Sequence, residues 1–135
     1  MVSGELKSQN SIFGISRHSF FNPADHPQLE FSRYGQPLET PLGVAAGPHT
    51  QLAQNIISSW LCGARYIELK TVQTLDQLEI DKPCIDMEQE GYNCEWSQEL
   101  TLDQSFDQYL NAWVMIHLLQ KELKLTRQDG HLGAI

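Results

Sequence analysis

Apolar and polar residues follow two different periods along this chain, and each period predicts a different kind of element. From Gln28 the two classes alternate, residues 34–37 interrupt the alternation, and it resumes as far as Leu42, which predicts a β-hairpin. Residues 41–47 are a run of small apolar residues bounded by prolines, as is typical of a buried strand. Residues 66–72 are rich in β-branched and aromatic side chains and predict the next strand.

A helix is predicted between these two strands, because apolar residues recur every four positions over residues 52–61. Thr50 is a candidate N-cap for this helix, and Gly63 is the glycine that ends it. The order strand, helix, strand with short connections predicts a βαβ unit, whose two strands lie parallel in one sheet.

The second half of the chain predicts one further helix and less regular structure around it. Residues 106–123 form an amphipathic helix, in which Phe106 and Trp113 are assigned to the core face. Residues 73–104 are polar with few apolar anchors, which indicates a long and therefore functional loop over one edge of the sheet. Residues 132–135 are interpreted as the opening of a third strand.

The two ends of the chain bear on the domain organisation. Residues 1–28 predict an N-terminal extension, with a poorly ordered start followed by a short helix or turn. Residues 29–135 carry the α/β pattern. This pattern by itself leaves two alternatives open: a small complete α/β domain, or the front piece of a larger barrel.

Composition narrows the classes of function. The 135 residues include 9 Lys+Arg against 17 Asp+Glu, a net charge of −8, which argues against a nucleic-acid partner. No apolar run approaches the roughly 20 residues of a membrane span, and no secretory signal is readable. The three cysteines, Cys62, Cys84 and Cys94, predict neither a disulfide framework nor a metal knuckle, so a cytoplasmic location is expected.

Candidate chemistry lies where the two predicted parallel strands end, because ligands of α/β folds bind there. Residues 45–50 are small enough to let a flat ligand approach the backbone, although His49 is as well explained as a helix-start residue. Lys70 ends the second strand and either binds a ligand, extends to the solvent-exposed rim, or pairs with Asp76 or Glu79. Asn93 lies in an aromatic stretch of the long loop, where an amide can bind a planar heterocycle or form a turn.

Four segments taken together, residues 40–55, 67–73, 82–86 and 91–97, resemble a known family. The chain is similar to the N-terminal barrel domain of the putative selenate reductase subunits, which are large iron–sulfur flavoproteins. More distantly, it resembles the flavin barrels of dihydroorotate and dihydropyrimidine dehydrogenases. The resemblance runs from about Ser11 to the last residue. It implies a partial TIM (β/α)8 barrel: a hairpin followed by the first two to three strand–helix units of a fold that needs about 250 residues.

The resemblance also implies roles for individual residues. The first strand would end against the FMN ring with Ala45, Ala46 and Gly47. The second strand would end with residues 70 and 71, which would also contact the flavin. Lys70 would be the catalytic residue, because its charge can stabilise the anionic reduced flavin. Thr71 would contact the flavin as well. Asn93 would bind a planar small-molecule substrate, and no metal ligand is expected.

The family further implies FMN in the complete barrel, while FAD, NAD(P), 4Fe–4S clusters and redox partner subunits involve regions that these 135 residues do not contain. The phosphate-binding glycines and the catalytic loop of the dehydrogenases also have no counterpart here, so we expect this fragment by itself to be inactive. Two alternatives remain: a non-catalytic scaffold or truncated relic that docks a partner subunit, and a Schiff-base aldolase with Lys70 as the nucleophile.

Overall fold

The structure of the protein is a computed structural model, and it describes residues 2–72, 74, 85–86, 92–93 and 100–125. For residues 85–86 and 92–93 only the backbone is described. The third strand predicted at residues 132–135 lies outside this part of the chain, as do Cys84 and Cys94.

Three helices and eight short strands are described. In chain order they are α1 (Val2–Gln9), β1 (Ser11–Ile12), β2 (Ile15–Ser16), β3 (Phe31–Arg33), β4 (Gln36–Leu38), β5 (Gly43–Val44), α2 (Ala53–Leu61), β6 (Tyr66–Ile67), β7 (Ile85–Asp86), β8 (Tyr92–Asn93) and α3 (Leu102–Leu123). Short 3-10 turns lie at Arg17–Ser19, Pro23–Asp25, Pro27–Leu29 and Pro48–Gln51. The described strands pair two by two and form no closed barrel, which is consistent with a partial barrel.

The predicted βαβ unit is confirmed. β5 and β6 pair in parallel, with Gly43 opposite Tyr66, and α2 connects them. α2 ends as predicted, because Gly63 adopts a φ of +110° and its N–H donates to the Trp60 carbonyl. Both strands are shorter than the sequence pattern predicts, since only two residues of each enter the ladder.

The hydrophobic core lies between α2 and α3 and includes part of the N-terminal segment. Its buried side chains are Ile12, Phe20, Ile56, Ile57, Trp60, Leu61, Ala112, Ile116, Leu119 and Leu123. The predicted core face of α2 is therefore confirmed. Because Ile12 and Phe20 belong to the same core, the N-terminal residues are part of the packed unit.

The prediction of a poorly ordered start is wrong for the described residues, because α1 is helical from Val2 to Gln9. Its Glu5 carboxylate accepts hydrogen bonds from the N–H of Gly14 at 2.8 Å and from the Ser11 hydroxyl at 2.7 Å. The Gly14 N–H, followed by the Ser11 hydroxyl, lowers the pKa of Glu5 below its ordinary value. This carboxylate ties α1 to the β1–β2 hairpin.

The predicted hairpin is confirmed as β3 and β4, with a tighter turn than expected. Tyr34 and Gly35 both have positive φ, +52° and +75°, as a two-residue turn with the twist of the strands requires. Gln36 therefore belongs to β4, although the sequence pattern assigned it to the break. The predicted loop of residues 73–104 is corrected in part, because β7 and β8 pair antiparallel within it.

α3 is confirmed as a helix but presents a different face to the core. Its buried stripe includes Ser105, Ala112 and Ile116, whereas Phe106 is 63% exposed and Trp113 is 51% exposed. Apolar residues occur at helical spacing on both sides of this helix, so the period cannot distinguish the two sides. The buried side is the one that packs against α2, and residues beside it bond to the start of α2.

Candidate functional site

The carboxyl ends of β5 and β6 lie side by side, since the two strands are parallel neighbours. Residues 45–47 follow β5 directly, and Lys70 comes three residues after β6 ends. Glu68 joins the two ends: its N–H donates to the Val44 carbonyl at 2.9 Å, and its carboxylate accepts from the Ala46 N–H at 3.1 Å. The small-residue segment and the lysine segment therefore form one continuous edge.

Thr50 shapes the turn after the small residues. Its hydroxyl donates to the Gly47 carbonyl at 3.0 Å, and the same oxygen lies 3.2 Å from the Gly47 N–H, which donates to it. The prediction that Thr50 caps α2 is thus wrong, because a 3-10 turn at Pro48–Gln51 intervenes and α2 begins only at Ala53. His49 is exposed in this turn.

α3 supplies the groups that complete the start of α2. The fully buried Gln51 amide donates to the Ser105 hydroxyl at 3.0 Å. The N–H of Ala53, the first residue of α2, donates to the Gln108 side-chain oxygen at 2.9 Å. An N-terminal amide of α2 therefore receives its acceptor from another helix and not from a local cap.

Lys70 is buried at the end of the second strand segment, with 9% of its surface exposed. Its Nζ donates to the carbonyl of Thr71 at 3.0 Å, and its own carbonyl accepts from the Tyr109 hydroxyl at 3.2 Å. Burial raises the pKa of Tyr109 above its ordinary value, which by itself keeps a phenol protonated at neutral pH. The lysine thus places a positive charge at an edge lined by small residues.

The opposite, amino end of the same two strands carries a buried ion pair. Arg65 donates from Nε to the Glu39 carboxylate and from an Nη to the Trp60 carbonyl at 2.9 Å. Its guanidinium carbon lies 5.3 Å and 5.4 Å from the ring centroids of Phe21 and Trp60. Desolvation lowers the pKa of Arg65 despite the attraction of Glu39. Nearby, the buried Thr40 hydroxyl donates to the Gly63 carbonyl at 2.7 Å.

Gly43 is also required at this amino end. A Cβ added there would overlap the Tyr66 ring. On this exposed side of the molecule, the guanidinium of Arg33 lies 4.6 Å from the Tyr66 ring centroid, within cation–π range. The Tyr66 hydroxyl donates to the Pro41 carbonyl at 3.3 Å.

Most of the predicted site residues lie at the carboxyl edge. These are Ala45, Ala46, Gly47, Lys70 and Thr71. For Asn93 the structure gives only a backbone position in β8, so its predicted side-chain role lies outside the described atoms.

Sequence reasoning missed Glu68 and Tyr109 at this edge. Glu68 carried a usable signal, because it lies two residues before Lys70 on a predicted strand. Tyr109 carried none, since 39 residues separate it from the carbonyl that it binds.

Among the described residues, no group of three or more His, Cys, Asp or Glu side chains could hold a metal ion. No described helix has both the length and the apolar character needed to cross a bilayer.

Comparison with known proteins places this sequence in a family. The family described as "Oxidoreductase YgfK, N-terminal TIM-barrel domain" matches residues 13–134. The chain is 55% identical over 119 residues to the protein named "Putative oxidoreductase YgfK" in Escherichia coli (strain K12), and a protein of that name in Escherichia coli O157:H7 matches equally well. Each match covers 88% of this chain but 11% of the relative, so the chain spans only a small part of their length. No solved structure matches the chain.

Proposed function

The chain belongs to the family of the N-terminal TIM-barrel domain of the oxidoreductase YgfK, and from this premise we propose that it forms the front part of an FMN-binding barrel in a redox enzyme. In the complete protein, FMN would supply the electron-transfer chemistry. FAD, NAD(P) and iron–sulfur clusters in other regions would relay the electrons. The resemblance to the putative selenate reductase subunits is part of this proposal, with a planar heterocycle or an analogous molecule as the substrate.

One observation carries the proposal: the parallel pairing of β5 and β6 brings residues 45–47 and Lys70 to the same edge. Two alanines and a glycine offer little side-chain bulk there, so a flat ring can approach the backbone closely. When such a ring becomes anionic, the Lys70 ammonium stabilises its negative charge.

The residues at this edge fit the ring end of FMN better than its phosphate end. The Ala46 N–H already donates to Glu68, and the Ala53 N–H at the start of α2 already donates to Gln108. These two amides are therefore taken and would not bind a phosphate. Phosphate donors are expected from barrel elements that follow the described residues in a longer chain.

Within this edge each side chain has a distinct task. Lys70 provides the cation that would favour negative charge on a bound ring. Glu68 holds the backbone of Ala46 in place, so that the small-residue segment keeps its position relative to Lys70. Thr50 fixes the turn that follows Gly47.

Flavin retention tests the proposal. FMN is added to the 135-residue chain and to a longer chain that continues through the rest of the barrel, and flavin absorbance is measured after gel filtration. We expect only the longer chain to retain FMN. Lys70→Ala in that chain should weaken binding by about tenfold or more, because a charge-assisted contact contributes roughly 1.5–3 kcal/mol.

Lys7→Ala is the matched control, because it removes an exposed lysine from α1. It should leave FMN retention unchanged. A complete barrel that stays colourless with added FMN would contradict the flavin assignment and favour the scaffold alternative. If Lys70→Ala and Lys7→Ala reduce FMN retention equally, the effect comes from the change in net charge and not from a binding site at Lys70.

A further inference from the structure

Three residues on one side of α3 form hydrogen bonds to residues around the candidate site. They are Ser105, Gln108 and Tyr109. Gln108 and Tyr109 follow Ser105 by three and four positions, so both lie on the same helix face as Ser105. Ser105 and Gln108 bind residues 51 and 53, at the start of α2. Tyr109 reaches further, to the strand segment that carries Lys70.

We propose that Tyr109 is a positioning residue for Lys70: it holds the Lys70 peptide from α3 and thereby sets where the lysine ammonium lies. The contact with Lys70 is independent of any ligand, but its consequence for a redox reaction rests on the proposed function.

Two successive backbone carbonyl groups connect Tyr109 to the Lys70 ammonium. The Lys70 carbonyl accepts from Tyr109 at 3.2 Å, and the next carbonyl, that of Thr71, accepts from the Lys70 ammonium at 3.0 Å. Both groups belong to the same short stretch beyond the end of β6. A shift of the Lys70 peptide would therefore move the anchor of the ammonium as well.

The phenol of Tyr109 is suited to this task. It is half-buried and packs against the core formed by α2 and α3, so its ring position is set by the helices. A phenol is protonated at neutral pH, and burial raises the pKa of Tyr109 further, so the hydroxyl is a donor. Tyr109 thus links the helix layer to the strand end that carries Lys70.

Two measurements on the 135-residue chain test this role. The chain has five lysines, so lysine carrying 13C at Cε gives a simple NMR spectrum, in which Lys70→Arg identifies the Lys70 signal. Acetic anhydride labelling, read by mass spectrometry, gives the reactivity of each lysine. Tyr109→Phe removes only the hydroxyl. We expect it to shift the Lys70 signal and to raise Lys70 labelling at least threefold relative to Lys7 and Lys121.

Tyr66→Phe is the matched control. It also removes a tyrosine hydroxyl that donates to a backbone carbonyl, but at the amino end of the strand pair. It should leave the Lys70 signal and labelling unchanged. The proposal is overturned if Tyr109→Phe leaves Lys70 unaffected, or if Tyr66→Phe changes Lys70 equally.

Two further outcomes would also overturn it. A parallel rise in the labelling of all lysines would mean that Tyr109 only stabilises the fold, and so would loss of the helical circular dichroism signal in Tyr109→Phe. Since neither measurement needs flavin, the proposal can fail while the complete barrel still binds FMN, and it can hold in a chain that binds none.

Discussion

The two ends of the β5–β6 pair differ in the kind of polar group that they contain. At the amino end, the ion pair of Glu39 and Arg65 is almost completely buried, with 7% and 2% of the side chains exposed. At the carboxyl end, Ala45 is exposed, Ala46 is half-buried, and the buried Lys70 ammonium donates to the Thr71 carbonyl. In barrels of parallel strands the amino end is expected to carry stability and the carboxyl end to carry the binding site.

The comparison also shows how each end is held together. The hydrogen bonds around Arg65 join residues within 39–65, which are close together in the chain. The groups around Lys70 depend instead on α3, which lies more than 30 residues further along. Loss of α3 packing should therefore disturb the carboxyl end first.

The largest effect on stability is expected from Arg65→Met. The variant leaves the Glu39 carboxylate buried without its cation, and one of its oxygens already has no hydrogen-bond partner among the described residues. Breaking a buried pair in this way costs about 3–5 kcal/mol. Urea unfolding followed by circular dichroism would measure the loss.

The double variant Glu39→Leu/Arg65→Met is the control for this prediction. It removes both charges, so it should recover most of the stability that the single variant loses. If the single variant lowers the free energy of unfolding by less than about 1 kcal/mol, the ion pair stabilises the fold no more than a surface pair does. The proposed difference in stability between the amino and carboxyl ends would then be wrong.

Gly43→Ala should have an intermediate effect, also at the amino end. The added Cβ would overlap the Tyr66 ring, so the ring must move away from its present place. Overpacking of this kind costs about 1–3 kcal/mol, measurable as a lower urea midpoint.

Gly4→Ala is the matched control, because a Cβ there meets nothing within 4 Å and the position lies inside α1. It should be neutral or stabilising by about 0.5–1 kcal/mol. Equal destabilisation by the two alanines would contradict the close contact between Gly43 and Tyr66.

The smallest of these effects is expected at the carboxyl end, from Gln108→Ala. The variant removes the acceptor of the Ala53 N–H, so an amide at the start of α2 loses its partner. By analogy with the loss of a helix cap, the cost should be about 1 kcal/mol, again from urea unfolding.

Gln54→Ala serves for comparison, since Gln54 is exposed in the first turn of the same helix. It should change stability by less than about 0.5 kcal/mol. If Gln108→Ala is as mild as this control, α3 does not support the start of α2, and the dependence of the carboxyl end on α3 would be weaker than the structure indicates.

Elements with local signals were predictable here. Gly63 marks the end of α2 because a glycine readily adopts the positive φ that the helix terminus needs. The β3–β4 hairpin follows from a short alternation around a Tyr-Gly turn. The choice of the buried face of α3 was not predictable in this way, because Trp113 and Ile116 are equally apolar and only the packing against α2 separates them.

The amino-acid sequence by itself therefore determined the βαβ order, the positions of α2 and α3, and the small residues and lysine that end the two strands. These depend on periodicity and turn chemistry over a few residues. Only the tertiary structure decided that Arg65 binds Glu39, that Gln108 serves α2, and that Tyr109 holds Lys70. Such contacts join residues 26 to 55 positions apart, and no local pattern records which of many polar side chains will meet after folding.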